Sequence, residues 1–208
     1  MALNYEQLMG LKREGDRFRY TDRETMLYAI GIGMGRDPLD AEELAYVFEQ
    51  GGLKTVPTMA SVLARVPLLK DCGYDYAKVL HGEQKLALHR TLPAEGELIA
   101  DSRVTAAYDK GAGKGAVILT ETEVRLAADD KALFTQSSTT FACRAVLKAV
   151  AGYDHTRIRG FDVRFSAPVY PGESITTDLW IDGNTVSFRC RVPEREVVVI
   201  NNGKCVLA

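Results

Sequence analysis

The segment 141–180, FACRAVLKAVAGYDHTRIRGFDVRFSAPVYPGESITTDLW, decides how the rest of the chain is read. Ala142, Ala145, Val146, Ala149 and Val150 stand at the i, i+3, i+4, i+7, i+8 spacing of one apolar helix face, with Arg144 and Lys148 opposite. That spacing predicts a buried helix over 141–151, ended by Gly152. The period then changes from 3.6 to 2. Phe161, Val163 and Phe165 alternate, Pro168 and Pro171-Gly172 make a turn, and Ile175, Thr177 and Leu179 alternate again. A helix hands over to antiparallel strands.

The same order occurs earlier. Val62-Leu63-x-x-Val66 echoes Val146-Leu147-x-x-Val150, Gly73-Tyr74-Asp75 echoes Gly152-Tyr153-Asp154, and Leu92-Pro93 echoes Tyr170-Pro171. A helix over 56–66 followed by four strand-like segments, at 76–90, 95–108, 115–126 and 131–140, is answered by the 141–151 helix. Four more segments follow it, at 158–166, 173–181, 185–192 and 197–207. The reading is an internal duplication, with units 1–140 and 141–208. A helix wrapped by a curved antiparallel sheet buries its apolar face without a second helix layer, so the fold class is α+β.

Two further helices are predicted before the first unit's strands. Thr21 or Asp22 caps one whose apolar face is Met26, Leu27, Ile30 and Met34, and 40–46 forms a short second one. Gly31, Gly33 and Gly35 close a helix rather than open one, so they are no dinucleotide loop. Gly111-Ala112-Gly113-Lys114-Gly115 lacks phosphate-loop spacing and is read as a hairpin tip. One asymmetry remains. Phe141 follows Thr140 directly, with no room for a turn between strand and helix, and the first helix is preceded by 55 residues that have no counterpart in the second unit.

With 46% hydrophobic and 26% charged residues the composition is that of a soluble globular protein. Its 28 acidic and 26 basic residues form no run of either sign, which argues against nucleic acid and against an anionic membrane as partners. Cys72, Cys143, Cys190 and Cys205 form no C-x-x-C pair, as expected of a reduced, cytoplasmic protein. Cys205-Val206-Leu207-Ala208 fits a prenylation pattern, but no polybasic stretch precedes it and 197–207 reads as a strand.

Several strings, in this order along nearly the whole chain, resemble the MaoC-like, or hydratase 2, family of (3R)-specific trans-2-enoyl-CoA hydratases. They are Tyr28-Ala29-x-Gly31-x-Gly33 with Asp37-Pro38, Glu43-Leu44-x-Tyr46-x-x-Glu49, Val56-Pro57-Thr58, Val79-Leu80-His81-Gly82-Glu83-Gln84, Asp109-Lys110-Gly111, and Arg164-Phe165-x-x-Pro168-Val169-Tyr170-Pro171-Gly172. The resemblance implies a double hotdog, two repeats of a long central helix wrapped by antiparallel strands. The first repeat would form the acyl-chain tunnel and part of the CoA site, and the second would hold the chemistry. It also implies reversible hydration of a trans-2-enoyl-CoA to the (3R)-3-hydroxyacyl-CoA by a homodimer, with no metal or redox cofactor and the CoA thioester as substrate. The alternative is a non-catalytic hotdog protein that binds acyl-CoA or pairs with a catalytic subunit.

By the same resemblance His81 and Gly82 contact substrate, Lys110 meets a CoA phosphate or pantetheine oxygen, and Phe165 lines the thioester pocket. Periodicity alone makes Phe165 a core residue and Lys110 a solvated charge. His89, His155 and the pairs Glu42/Glu43 and Asp129/Asp130 are read as surface residues. No catalytic residue is assigned. In the family an Asp and a His in a D-x-N-P-x-H segment deprotonate the attacking water. This chain has no such segment; Asp37-Pro38-Leu39-Asp40 is the nearest string and lacks both Asn and His. The missing block falls at the Thr140/Phe141 seam and, by comparison with the first repeat, amounts to roughly 50 to 70 residues.

Overall fold

The computed structural model describes residues 5–70, 81–111, 116–137, 151–170 and 172–208. Helix α1 (Tyr5–Met9) leads into strand β1 (Lys12–Tyr20), helix α2 (Asp22–Gly31) and the single turn α3 (Ala41–Leu44). Eight strands follow: β2 (Glu83–Leu88), β3 (Gly96–Asp109), β4 (Ala116–Leu126), β5 (Lys131–Ser137), β6 (Ile158–Phe165), β7 (Thr176–Asp182), β8 (Thr185–Val192) and β9 (Val197–Leu207). All eight lie where period-2 alternation predicts strands. The 141–150 part of the expected second helix, and the echo at 73–75, lie outside the described residues.

The nine strands make one antiparallel sheet in the order β1-β3-β4-β5-β2-β6-β9-β8-β7. Read outward from the β2/β6 seam, the two sides have the same plan. β2 is followed by β5, β4 and β3 on one side, and β6 by β9, β8 and β7 on the other. They differ at the ends: β1 (Lys12–Tyr20) covers the outer edge of β3, whereas among the described residues nothing pairs with the outer edge of β7.

The expected helix over 56–66 is corrected. Only a 3₁₀ segment, Pro57–Ser61, forms there, and Ala64 turns into the left-handed region at φ 51°. Val56, Thr58 and Val62 are β-branched and Pro57 and Pro67 bracket the segment, so the stretch has little to gain from a long helix. Residues 57–61 are buried all round rather than on one stripe. They act as a plug under the sheet, joining the core formed by Leu86, Leu88, Phe134, Phe161 and Phe188.

Helix α2 (Asp22–Gly31) starts after Thr21, whose backbone N–H donates to Glu24 Oε2 at 2.8 Å, as the cap reading predicts. Its buried face is Thr25 and Ala29, not the expected stripe, for Leu27 and Ile30 are 66% and 56% exposed. Thr25 makes a polar anchor instead: its hydroxyl donates to Ala94 O at 2.7 Å. Beyond the helix Gly33 and Gly35 take φ of 90° and 70°. A Cβ on Gly35 would sit 2.6 Å from Val47 Cγ2, so the glycines serve the turn, as their position after a helix suggests.

Cys205 is fully buried in β9, in the strand expected there. Among the described residues no helix is long and apolar enough to cross a membrane.

Candidate functional site

The seam between β2 and β6 brings together three of the four residues expected to contact substrate. Glu83 stands opposite Arg164 and Gln84 opposite Val163, and the Phe165 N–H donates to Gly82 O at 3.1 Å. This places the His81 ring edge-on to the Phe165 ring, centroids 5.7 Å apart at 77°. His81 and Gly82 are exposed and Phe165 is half-buried. No atom lies within 4 Å of where a Cβ on Gly82 would stand, leaving open space beside the ring pair. The Glu83–Arg164 ion pair across the seam, at 3.4 Å, is exposed on both sides and adds little.

Lys110 is exposed just after β3, and Gly111 N–H donates to Asp109 Oδ1 at 2.8 Å to start the hairpin turn. The register carried from Leu86 through Gln136 and Thr122 to Ser102 puts that hairpin at the same end of the sheet as His81. Three strand spacings separate them, about 14 Å along the hydrogen-bonding direction. The structure thus groups His81, Gly82 and Phe165, with Lys110 at a distance that only a long ligand spans.

A groove of about 460 Å³ runs between α2 and the 57–63 stretch, walled by Leu27, Tyr28, Ile32, Met59, Val62 and Leu63. It accounts for the outward-facing Leu27 and Val62, two of its walls. Tyr28 ties the two sides, its hydroxyl donating to Thr58 Oγ1 at 3.1 Å. The lining is mostly carbon, with Glu24 the one charged side chain on it, which suits an alkyl chain.

Two expectations of surface residues are overturned. Glu43 is 2% exposed; its Oε2 accepts from Gly35 N–H at 3.0 Å and its Oε1 from the Tyr153 hydroxyl at 2.9 Å. Only Glu42 of that pair is solvated, since neighbours on a helical turn face apart. His155 is half-buried, edge-on to the Tyr46 ring at 6.1 Å, and its Nδ1 is enclosed without a hydrogen-bond partner. Burial, and then the nearby Lys54 charge, hold its pKa below the usual histidine range, against a weaker opposing pull from Asp154. His89 is exposed as expected, with Nε2 2.9 Å from Thr135 Oγ1. Asp129 and Asp130 are exposed and bonded to Arg90 and Arg125.

Gln84 stands in the His81-Gly82-Glu83-Gln84 string without a role of its own, and Gln136 falls in no motif. Gln84 is 1% exposed, and neither its Nε2 nor its Oε1 has a partner. The signal was present: in β2 the buried positions are Gln84, Leu86 and Leu88, so strict alternation puts the amide on the core face. Asp37-Pro38-Leu39-Asp40, the nearest string to the catalytic motif, is a capping loop. Asp40 Oδ1 accepts from the Glu42 and Glu43 N–H groups and Asp37 Oδ1 from Leu39 N–H.

Comparison with known proteins agrees with this architecture. The chain is 23% identical to the peroxisomal enoyl-CoA hydratase 2 of Arabidopsis thaliana, over 95% of this chain and 93% of that protein. It is 23% identical to the enoyl-CoA hydratase ChsH3 of Mycobacterium tuberculosis, over 98% of each. The MaoC-like dehydratase from Phytophthora capsici superposes with a TM-score of 0.81 at 21% identity, covering 98% of both chains, so the fold is the hotdog type of those dehydratases. The Arabidopsis alignment runs to 290 positions against 208 residues here, so that relative carries internal sequence for which this chain has no residues. A family model, the MFE-2 hydratase 2 N-terminal domain, matches residues 18–144, and the chain belongs to that family.

Proposed function

We propose that this chain acts on trans-2-enoyl-CoA thioesters, in the reversible addition of water that gives the (3R)-3-hydroxyacyl-CoA in fatty-acid or related acyl-CoA metabolism. The observation that carries the reading is coverage: proteins named as enoyl-CoA hydratases align along 95% and 98% of this chain, through both 1–140 and 141–208. The apolar groove beside α2 takes the acyl chain. His81, Gly82 and Phe165 take the thioester end, and Lys110 meets a CoA phosphate. The reaction calls for no metal or redox cofactor.

The chain is two hotdog units, and the matched strand order on either side of the β2/β6 seam supports this. In that reading β6 to β9 correspond to β2 to β5, and the second unit has no described strand corresponding to β1. A block absent between β5 and β6 would remove such a strand together with the D-x-N-P-x-H segment. The Thr140/Phe141 seam and the length of the Arabidopsis alignment point the same way. We place the protein in the cytoplasm as a homodimer, on its scattered cysteines and the family resemblance; sedimentation of the purified chain tests the second point.

The absent motif favours a second reading, a non-catalytic acyl-CoA-binding or partner subunit. Intact mass and a crotonyl-CoA hydration assay on the same sample separate the two. A chain confirmed at 22.9 kDa is expected to bind crotonyl-CoA. It should turn over far below an intact relative, since a lost general base removes roughly 10²-fold or more. Robust turnover at that mass overturns the account of the missing base, and no binding at all overturns the hydratase reading.

A further inference from the structure

Gln84 on β2 and Gln136 on β5 face the same side of the sheet, since Leu86 stands directly opposite Gln136 and Gln84 lies two residues before Leu86. Gln136 Nε2 donates to Leu63 O at 3.2 Å, which sets the amide against the stretch that walls the acyl groove. Three polar atoms remain enclosed there without a partner: Gln84 Nε2, Gln84 Oε1 and Gln136 Oε1. The large majority of buried side-chain polar groups in native cores are satisfied, because water was given up and an unmet group has nothing to replace it. All five polar residues buried in the first 70 positions follow that rule, with Thr25, Glu43, Thr55, Thr58 and Ser61 each bonded.

We propose that Gln84, with Gln136, is a binding subsite for a secondary amide of the thioester arm of the ligand. This rests on the acyl-CoA reading above. The unmet needs are one donor group and two acceptor oxygens, next to a wall of carbon. A simple alkyl chain meets none of them. A secondary amide meets two of the three, one of each kind: its C=O accepts from Gln84 Nε2 and its N–H donates to Gln84 or Gln136 Oε1. An acyl-pantetheine is alkyl at one end and carries such amides beyond its sulfur, matching a carbon-lined groove beside enclosed amides.

The test is Gln84→Leu, with Gln84→Met as a second variant of similar volume, measured for crotonyl-CoA binding by calorimetry and for thermal unfolding. The subsite predicts opposite changes: affinity falls about tenfold, as for one or two lost hydrogen bonds, while Tm is unchanged or raised because an unsatisfied amide has left the core. Unaltered affinity in either folded variant overturns the proposal. So does a loss confined to 3-hydroxybutyryl-CoA with crotonyl-CoA binding intact, which would move the partner from the arm to the acyl chain. Failure of the parent chain to bind crotonyl-CoA is a different result, for it removes the acyl-CoA reading and this subsite with it.

Discussion

Tyr153 donates its hydroxyl to Glu43 Oε1 at 2.9 Å, across 110 residues of chain, in a buried site. The backbone there is in the left-handed region at both Gly152 and Tyr153, φ 58° and 56°, which a tyrosine adopts only when its surroundings hold it. They do so twice over, since Tyr153 O also accepts the Tyr46 hydroxyl at 2.8 Å. A carboxylate at the start of the chain thus anchors the entry to the second set of strands.

Breaking that anchor is expected to destabilise the fold. Tyr153→Phe should cost about 1–2 kcal/mol, and Glu43→Ala about 3 kcal/mol, because it leaves Gly35 N–H and the Tyr153 hydroxyl without this acceptor. Urea unfolding of both single variants and the double variant measures the coupling, expected at about 1 kcal/mol or more. Strict additivity would mean the contact carries no energy.

His155 should make stability depend on pH. Its folded pKa is depressed, so the unfolded chain takes up the proton first as pH falls from about 6.5. The neutral-histidine contribution is therefore present above pH 6.5 and is lost as pH drops through the folded value. His155→Gln should flatten the fall in Tm between pH 7 and pH 5; an unchanged slope assigns that fall to other groups.

Gly203 lies opposite Phe188 across β8 and β9, and a Cβ there would enter the Phe188 ring. That ring is itself fixed against Phe161, centroids 4.9 Å apart. Gly203→Ala should cost about 1–3 kcal/mol through overpacking. Denaturant midpoints that match the parent's would show that the ring can move aside.

Lys110→Ala should weaken CoA-thioester binding about tenfold at low ionic strength, and less as salt rises, as for one exposed charge contact. The readout is calorimetric affinity at two salt concentrations. Equal affinities at low salt would take Lys110 out of the site.

Strand positions were legible because alternation is a local property. Val186, Phe188, Cys190 and Val192 alternate in the sequence and are all buried in β8. The His81–Phe165 pairing was legible only as two separate motif strings, since their contact depends on β2 and β6 becoming neighbours. Local pattern misjudged the 56–66 stretch, where 57–61 is a wholly buried 3₁₀ plug while Val62 faces outward. It also misjudged Glu43 and His155. Charge and polarity send such residues to the surface by default, and a partner from a distant part of the chain, Tyr153, makes an interior place affordable for Glu43, while His155 packs edge-on against Tyr46 with its Nδ1 unmet. By itself the sequence determined the family and the strands. Which polar groups are buried, which of them are met and which are left open, was decided by tertiary packing, because a hydrogen-bond partner 110 residues away leaves no trace in local periodicity.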